Sequence, residues 1–301
     1  MKVLVTGGSG FIGQHCLAQL LSKGYEVHAI SSNPQPKTVG LHWHQANLLD
    51  ITQTKTLVRN VKPSHLLHLA WYTEHGKYWT ARDNLYWVQA SLTLMYEFTE
   101  SGGQRYVSAG TCAEYDWSYD ICAEVSTPCR PRTLYGASKY SMQVLLESWS
   151  RQTGLSSACG RIFLLYGPGE YHSRLVPSVI NSLLKGEPAH CTHGGQARDF
   201  MYVADVAASF VALLESEVKG AVNIASGEAV PLEEVVYAIS DQLGRRDLVR
   251  LGSIPISINE PAKLIADVGR LRNEVGFKPS YKLEQGIALT IESVKKKLQA
   301  N

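Results

Sequence analysis

Apolar positions along this chain recur in two alternating rhythms. Short continuous or β-branched apolar runs read as strands. Stretches in which apolar residues return every three or four positions read as helices. Residues 2–6 form the first strand-like run, and from Gly13 the spacing of Cys16, Leu17, Leu20 and Leu21 predicts a helix that Gly24 stops. Residues 25–30 predict a second strand, followed by a proline-containing loop over 31–40. Further strands are predicted at 41–45, 65–70, 104–108 and 157–165, with long helices at 85–101 and 138–152 between them. Strand–helix alternation of this kind predicts an α/β fold, a parallel sheet covered on both faces. Right-handed crossovers then give a doubly wound, Rossmann-type sheet.

Past residue 165 the rhythm changes. Tyr166-Gly167-Pro168-Gly169 and Gly194-Gly195 interrupt the chain, and helices are predicted at 175–185, 231–243 and 283–298, with short strands at 200–203 and 222–225. This pattern predicts a smaller mixed α/β lobe. The expected division is a dinucleotide-binding part over 1–165 and 196–222, and a substrate lobe over 166–195 and 223–301.

The junction between the first strand and first helix carries Gly7-Gly8-Ser9-Gly10-Phe11-Ile12-Gly13. Gly7 permits a tight turn, Gly10 lets the backbone approach a pyrophosphate, and Gly13 lets the helix pack closely. The helix start adds free N–H groups and a favourable dipole. A glycine pattern alone is weak, but its place at the first strand–helix turn makes it a nucleotide-site candidate. The second strand ends in Ser31-Ser32-Asn33 without the carboxylate that would bond a ribose 2′-hydroxyl. Serines can donate to a 2′-phosphate, and Lys37 is near in sequence, which favours NADP over NAD.

Composition narrows the picture without naming a function. The chain has 301 residues, 45% hydrophobic and 19% charged, with a formal net charge of +2. That is an ordinary globular balance, and it gives no electrostatic argument for nucleic acid. No apolar run is long enough to span a bilayer, and the first residues do not read as a signal peptide. The six cysteines show neither a C-x-x-C pair nor zinc spacing. These features predict free thiols and a cytoplasmic protein that binds neither metal, membrane nor nucleic acid.

Two further segments carry candidate chemistry. Tyr135 and Lys139 are four residues apart at a helix start, so both can lie on one face. A free phenol is a poor acid–base group at neutral pH, and a neighbouring ammonium favours its ionised form. The fifth strand is followed by Thr111-Cys112-Ala113-Glu114-Tyr115, and strand C-termini are where ligands bind in such sheets. A Thr111 or Ser108 hydroxyl could bond a reacting oxygen, although turn capping explains such residues equally well. The loop from Trp71 to Trp79 is rich in aromatic residues. Its rings could pack on a sugar or simply roof the core, and His75 is a further acid candidate within it.

Taken together, these motifs resemble the extended short-chain dehydrogenase/reductase family, in particular its nucleotide-sugar epimerases, dehydratases and ketoreductases. The resemblance runs from Thr6–Gly13 through His68-Leu69-Ala70, Asn84, Thr111, Tyr135-x-x-x-Lys139, Arg161 and Tyr166-Gly167-Pro168. It continues to Arg198-Asp199-Phe200 and Asn223 to Gly227. It implies Thr111, Tyr135 and Lys139 as catalytic residues, with Tyr135 handling the proton and Lys139 also holding the nicotinamide ribose. It implies a cofactor site from Gly7, Gly10, Phe11, Ile12, Gly13, Ser31, Ser32, Asn47, Leu48, Leu69 and Ala70. Asn47-Leu48 stands where the family has Asp and a hydrophobic residue against adenine. Substrate contacts are expected from Trp71, His75, Thr111, Arg174 and Arg198, with Arg198 matching an arginine that often reaches a diphosphate.

The departures shape the expected function. Members that act as 4,6-dehydratases carry Asp-Glu directly after the catalytic Thr, whereas this chain has Cys112-Ala113, which disfavours dehydration. The family's Asn before Tyr-Gly-Pro is Leu164, and its late Arg-Pro-Gly segment corresponds to Asn259-Glu260-Pro261-Ala262. Arg174, Arg198 or Lys263 could compensate. The favoured expectation is NADPH-dependent reduction of a nucleotide-linked 4-keto-6-deoxysugar. An NAD-dependent 4-epimerase is the alternative, and a non-catalytic dinucleotide-binding protein the remote one. Helices at 85–101 and 138–152 carry apolar residues on more than one face, which predicts a homodimer.

Overall fold

A computed structural model describes residues 1–256 and 260–300. The chain begins with β1 (Lys2–Thr6), α1 (Gly13–Ser22), β2 (Glu26–Ser31), β3 (Leu41–Gln45), α2 (Ile51–Val61), β4 (His65–His68), α3 (Asp83–Glu100) and β5 (Arg105–Thr111). A short strand β6 (Ile121–Cys122) precedes α4 (Leu134–Thr153) and β7 (Ser156–Ile162). Then follow β8 (Leu164–Tyr166), α5 (Leu175–Leu184), β9 (Ala189–His190), β10 (Ala197–Arg198), β11 (Phe200–Tyr202), α6 (Val203–Glu215) and β12 (Gly220–Ile224). The last elements are β13 (Val230–Pro231), α7 (Leu232–Leu243), β14 (Val249–Arg250), β15 (Lys263–Ala266), α8 (Gly269–Asn273) and α9 (Leu283–Ala300).

Seven strands form one parallel sheet in the order β12-β7-β5-β4-β1-β2-β3. The order reverses between β1 and β4, so a crevice opens at their C-terminal ends, the usual ligand position in such sheets. Two apolar cores sandwich the sheet. Val3, Val5, Val27 and Ala29 point to one face with Leu17 of α1 and Phe210 of α6. Leu4, Ile30 and Leu66 point to the other with Val58 of α2, Phe98 of α3 and Leu146 of α4. This is the doubly wound α/β fold expected from the apolar pattern.

A third core joins α5, α7 and α9 beneath β8 and β11, through Val176, Ile180, Val235, Ile239 and Ile287. The small sheet β13-β10-β15-β6 is mixed, with β13 antiparallel to β10 and the other pairs parallel. Strand β12 closes the edge of the large sheet beside β7, so Asn223 and Ile224 pair there. Among the described residues no helix is long and apolar enough to cross a membrane, and all six cysteines are free.

Local differences from the apolar pattern have clear causes. Strand β5 runs three residues beyond the predicted end, to Thr111, because β7 pairs with it along its full length. The single strand expected at 157–165 divides at Phe163, where the chain leaves the large sheet and β8 pairs with β11. Helix α6 lies where no helix is predicted. Val203, Val206, Ala207, Phe210, Val211, Leu213 and Leu214 are all buried, and burial on nearly every side erases the amphipathic period.

Candidate active site

The glycine turn sits in the crevice at the end of β1. Gly7 has φ +70°, and a Cβ there would lie 2.8 Å from the Ala70 amide nitrogen, so glycine is required twice over. A Cβ on Gly13 would overlap the Gly7 carbonyl oxygen, so this glycine closes α1 onto the turn itself. The Gly10 amide donates to the Gly7 carbonyl at 3.0 Å, which fixes the loop. No side chain caps α1. Its first turn, with Gly10, Phe11 and Ile12 before it, suits an anionic ligand such as a pyrophosphate.

The rest of the expected cofactor contacts line the ends of β2, β3 and β4. Ser31 is buried, and its hydroxyl accepts from the Asn33 amide at 3.2 Å and from Gln35 Nε2 at 3.1 Å. Ser32 is exposed. Asn47 uses its Oδ1 to accept the Leu49 amide at 3.0 Å, and Leu48 is buried under α2. The Leu69 amide donates to the Thr6 carbonyl, and the Ala70 amide to Thr6 Oγ1 at 3.2 Å, so Leu69 and Ala70 are pinned to β1. The residues present therefore fit a dinucleotide laid across the switch point.

The structure brings Thr111, Tyr135 and Lys139 together between β5 and α4. Thr133 starts α4 by accepting the Gly136 amide at 3.1 Å, and this cap places Tyr135 and Lys139 in the first turns. Burial raises the pKa of the Tyr135 phenol, Tyr78 raises it further, and the Thr111 hydroxyl works the other way. The phenol is thus protonated at neutral pH. Lys139 turns to the Ala109 carbonyl, to which Nζ donates at 2.8 Å, and lies 4.0 Å from the centroid of the Trp71 ring. Burial brings its pKa down to about 8.

A buried charged pair, absent from the sequence reading as a site feature, supports this unit. Glu114 Oε1 accepts the Thr111 amide at 2.8 Å, and Oε2 accepts from Arg161 Nε at 2.8 Å. Arg161 also donates to Gln143 Oε1 of α4, at 2.8 Å from Nη2 and 3.1 Å from Nε. Burial pushes the Glu114 carboxyl up, and Arg161 and the Thr111 amide pull it back. This network ties the end of β5 to α4, so Thr111 and Tyr135 are held by one buried constellation. Cys112 and Ala113 are buried in the turn, and burial pushes the Cys112 thiol up to about 12. The carboxylate closest to Thr111 in sequence therefore faces inward to an arginine.

The aromatic loop roofs Tyr135. The Trp79 carbonyl accepts the Tyr135 amide at 3.1 Å, and Tyr78 meets the Tyr135 ring edge-on at 4.9 Å. Asn84, fully buried, donates to the Tyr78 and Ala81 carbonyls, both at 2.8 Å, and accepts from Trp71 Nε1 at 2.8 Å. Trp71 is thus set against Lys139. Arg174, at the start of α5, donates to the Tyr78 hydroxyl at 3.4 Å. His75 leans on Tyr171 at 5.5 Å. Burial, then Arg174 and His172, lower the His75 pKa, which keeps the ring neutral at physiological pH. Near them, Glu170 carries a carboxyl that burial raises to about 8.

Arg198 stands apart from that cluster. It is buried in β10, donates to the Ala197 carbonyl at 2.9 Å and the Ala262 carbonyl at 3.4 Å, and pairs with Glu260 at 2.9 Å. Its charge still reaches Cys112 beside Thr111. Lys263 lies 3.9 Å from Asp120 and is exposed. Leu164, in place of the family's Asn, packs between the first and third cores. Asn259 lies outside the described residues.

A doubly wound sheet with a glycine turn at β1 and a Tyr/Lys/Thr unit beyond β5 defines a nicotinamide-dinucleotide enzyme of the short-chain class. The family model of the NAD dependent epimerase/dehydratase family matches residues 3–225. The chain belongs to that family. It is 23% identical over 309 residues to a dTDP-4-dehydro-6-deoxyglucose reductase of Escherichia coli, covering 97% of each chain. Among solved structures, it resembles the UDP-glucose 4-epimerase of Thermus thermophilus in complex with NAD. That match has a TM-score of 0.85 and 26% identity, over 98% of this chain and 99% of that one. It also resembles MoeE5 in complex with UDP-glucuronic acid and NAD, with a TM-score of 0.86 and 29% identity, over 99% and 100%.

Proposed function

We propose that this enzyme reduces a nucleotide-linked 4-keto-6-deoxyhexose to the hydroxy sugar, with NADPH as reductant and Tyr135 as proton donor. The observation that carries the reading is the Tyr135 phenol. Burial keeps it protonated beside Thr111, while the adjacent carboxylate of Glu114 is committed to Arg161. Reduction of a ketone asks one proton of the protein. Elimination of water needs an acid–base pair that Cys112 and Ala113 do not supply.

A nicotinamide held at the switch point would supply the hydride to the carbonyl carbon. The carbonyl oxygen gains the electron pair and takes the Tyr135 proton, and the Thr111 hydroxyl holds that oxygen. Lys139 keeps a cationic field at the site and uses its remaining N–H groups for the cofactor ribose. The Glu114–Arg161–Gln143 network keeps Thr111 and Tyr135 in register. The aromatic roof over Tyr135 excludes water from the proton transfer.

Ser32 supports the choice of NADPH, since it is exposed at the end of β2 with no acidic side chain beside it in sequence. The second reading is a 4-epimerase that retains NAD. It uses the same Thr111, Tyr135 and Lys139, and the likeness to a UDP-glucose 4-epimerase favours it. In either reading residues 1–165 with 196–222 hold the cofactor. Residues 166–195 with 223–301 hold the nucleotide sugar, although β12 straddles that boundary. We also propose a homodimer through α3 and α4.

The test supplies dTDP-4-dehydro-6-deoxyglucose with NADPH or NADH. Net NADPH oxidation with one alcohol formed per cofactor consumed supports the reading. Interconversion of UDP-glucose and UDP-galactose by protein that purifies with tightly held NAD, without net oxidation, overturns it in favour of the epimerase.

A further inference from the structure

Lys139 is a buried ammonium without an ion-pair partner among the described residues. The groups facing it come from several elements. Ala109 of β5 offers a carbonyl at 2.8 Å. Burial brings His68 of β4 down to about 3, so it is neutral, and pushes the Cys159 thiol of β7 up to about 12, so it is protonated. Glu114 acts on the lysine from a distance but is bonded to Arg161. Tyr135, one turn earlier on α4, is a neutral phenol. Ser108, Gln143 and Tyr106 line the same small cavity, and burial keeps the Tyr106 phenol protonated. The aromatic face that meets the ammonium is that of Trp71, 4.0 Å from Nζ to the ring centroid.

Trp71 cannot easily swing away from that position. Its Nε1 donates to Asn84 Oδ1 at 2.8 Å, and both Asn84 amide bonds go to backbone carbonyls of the same loop. Trp87 of α3 packs against the indole at 6.3 Å. The indole plane is therefore tethered at its N–H and backed by a second ring. A ring quadrupole attracts a cation most strongly where water is excluded, and Lys139 is nearly fully buried.

We propose that Trp71 is a positioning residue that holds the Lys139 ammonium in place and in its charged form, with Asn84 locking the indole. The proposal rests on the reading above only in taking Lys139 to serve the reaction. Withdrawing the ring face disfavours the ammonium, so the Lys139 pKa falls. Activity that needs charged Lys139 is lost as pH rises through that pKa, so the alkaline limb of the rate profile moves to lower pH. Complete loss of a desolvated cation–π contact corresponds to a shift of about 1.5 pH units.

The experiment replaces tryptophan with mono-, di- and trifluorotryptophan, which weakens the ring quadrupole and leaves the fold intact. The Lys139 Cε resonance of isotopically labelled protein is followed against pH and assigned with Lys139→Arg. A stepwise fall of the Lys139 pKa with fluorination, matched by Trp71→Leu falling further than Trp71→Phe, is the expected result. The alkaline limb of kcat should move in the same order. A Lys139 titration unchanged across the series overturns the proposal even if Trp71→Leu lowers kcat, because Trp71 would then act by packing alone. If the titration moves while no keto sugar is reduced, the assigned reaction fails and the role of Trp71 stands.

Discussion

Replacing Arg161 with methionine removes one partner of the pair that fixes Thr111 against α4. Glu114 and Arg161 are 0% and 1% exposed and 2.8 Å apart. At an effective dielectric of about 20, their attraction is about 6 kcal/mol, largely offset by the loss of hydration. Their net value is therefore small, but the cost of separating them is not. Arg161→Met leaves the Glu114 carboxylate buried with the Thr111 amide as its remaining partner, and Gln143 Oε1 loses its donor. We expect a loss of about 3–5 kcal/mol in denaturant unfolding. That is a large share of the roughly 5–15 kcal/mol typical of folded proteins. Glu114→Gln combined with Arg161→Met should recover most of the loss, because no isolated charge then remains. The assay is urea unfolding of the single and double variants, with kcat measured on each. A single variant within about 1 kcal/mol of the parent, or a double variant equal to the sum of the singles, would refute the coupling.

Ser32→Asp places a carboxylate where a 2′-phosphate would lie and should shift the NADPH to NADH preference by on the order of tenfold, about 1.4 kcal/mol. An unchanged ratio of kcat/KM values would show that the end of β2 does not read the ribose. Leu85, Tyr86 and Tyr96 of α3 and Val144 and Leu145 of α4 are exposed apolar side chains on helices that pack together. Light scattering at micromolar concentration should give twice the chain mass and Leu145→Glu a monomer, whereas a monomeric parent would remove the dimer. Glu260→Gln frees Arg198 from its carboxylate and should lower KM for a nucleotide sugar several-fold with kcat little changed. A KM that rises or stays the same would mean that Arg198 does not meet the substrate.

The alternation of apolar runs and helical spacing made most of the large sheet legible, because its strands other than the edge strand β3 are largely buried and α1, α3 and α4 leave a polar side, whereas α2 and α6 were not read from the pattern. The glycine turn was equally legible, since Gly7 and Gly13 are demanded by backbone geometry that the spacing encodes. Other features depend on tertiary neighbours. Trp71 belongs to a loop whose rings suit a sugar or a core roof equally in sequence, and in the fold Asn84 holds its indole against Lys139. The sequence pairs Lys139 with Tyr135 by their spacing, whereas the fold gives its ammonium to the Ala109 carbonyl. Arg198 is a cation in sequence and a neutralised one in the fold, because Glu260, just before the neighbouring strand β15, reaches it. The Thr111–Glu114 link did leave a local signal. A threonine followed three residues later by a glutamate is the spacing of a capping box, and the Glu114 side chain does return to the Thr111 amide.

The most direct test of the central claim is hydride transfer from NADPH to a nucleotide-linked 4-keto-6-deoxysugar by the parent enzyme and by Tyr135→Phe. Loss of the phenolic proton should lower kcat by about 10²–10⁴-fold. NADPH affinity should be little changed, because the glycine turn and the β2 end lie apart from the phenol. Thr111→Ala should cost less, since it removes a hydrogen bond rather than the proton source. A Tyr135→Phe enzyme that keeps most of its kcat on that sugar would contradict the account.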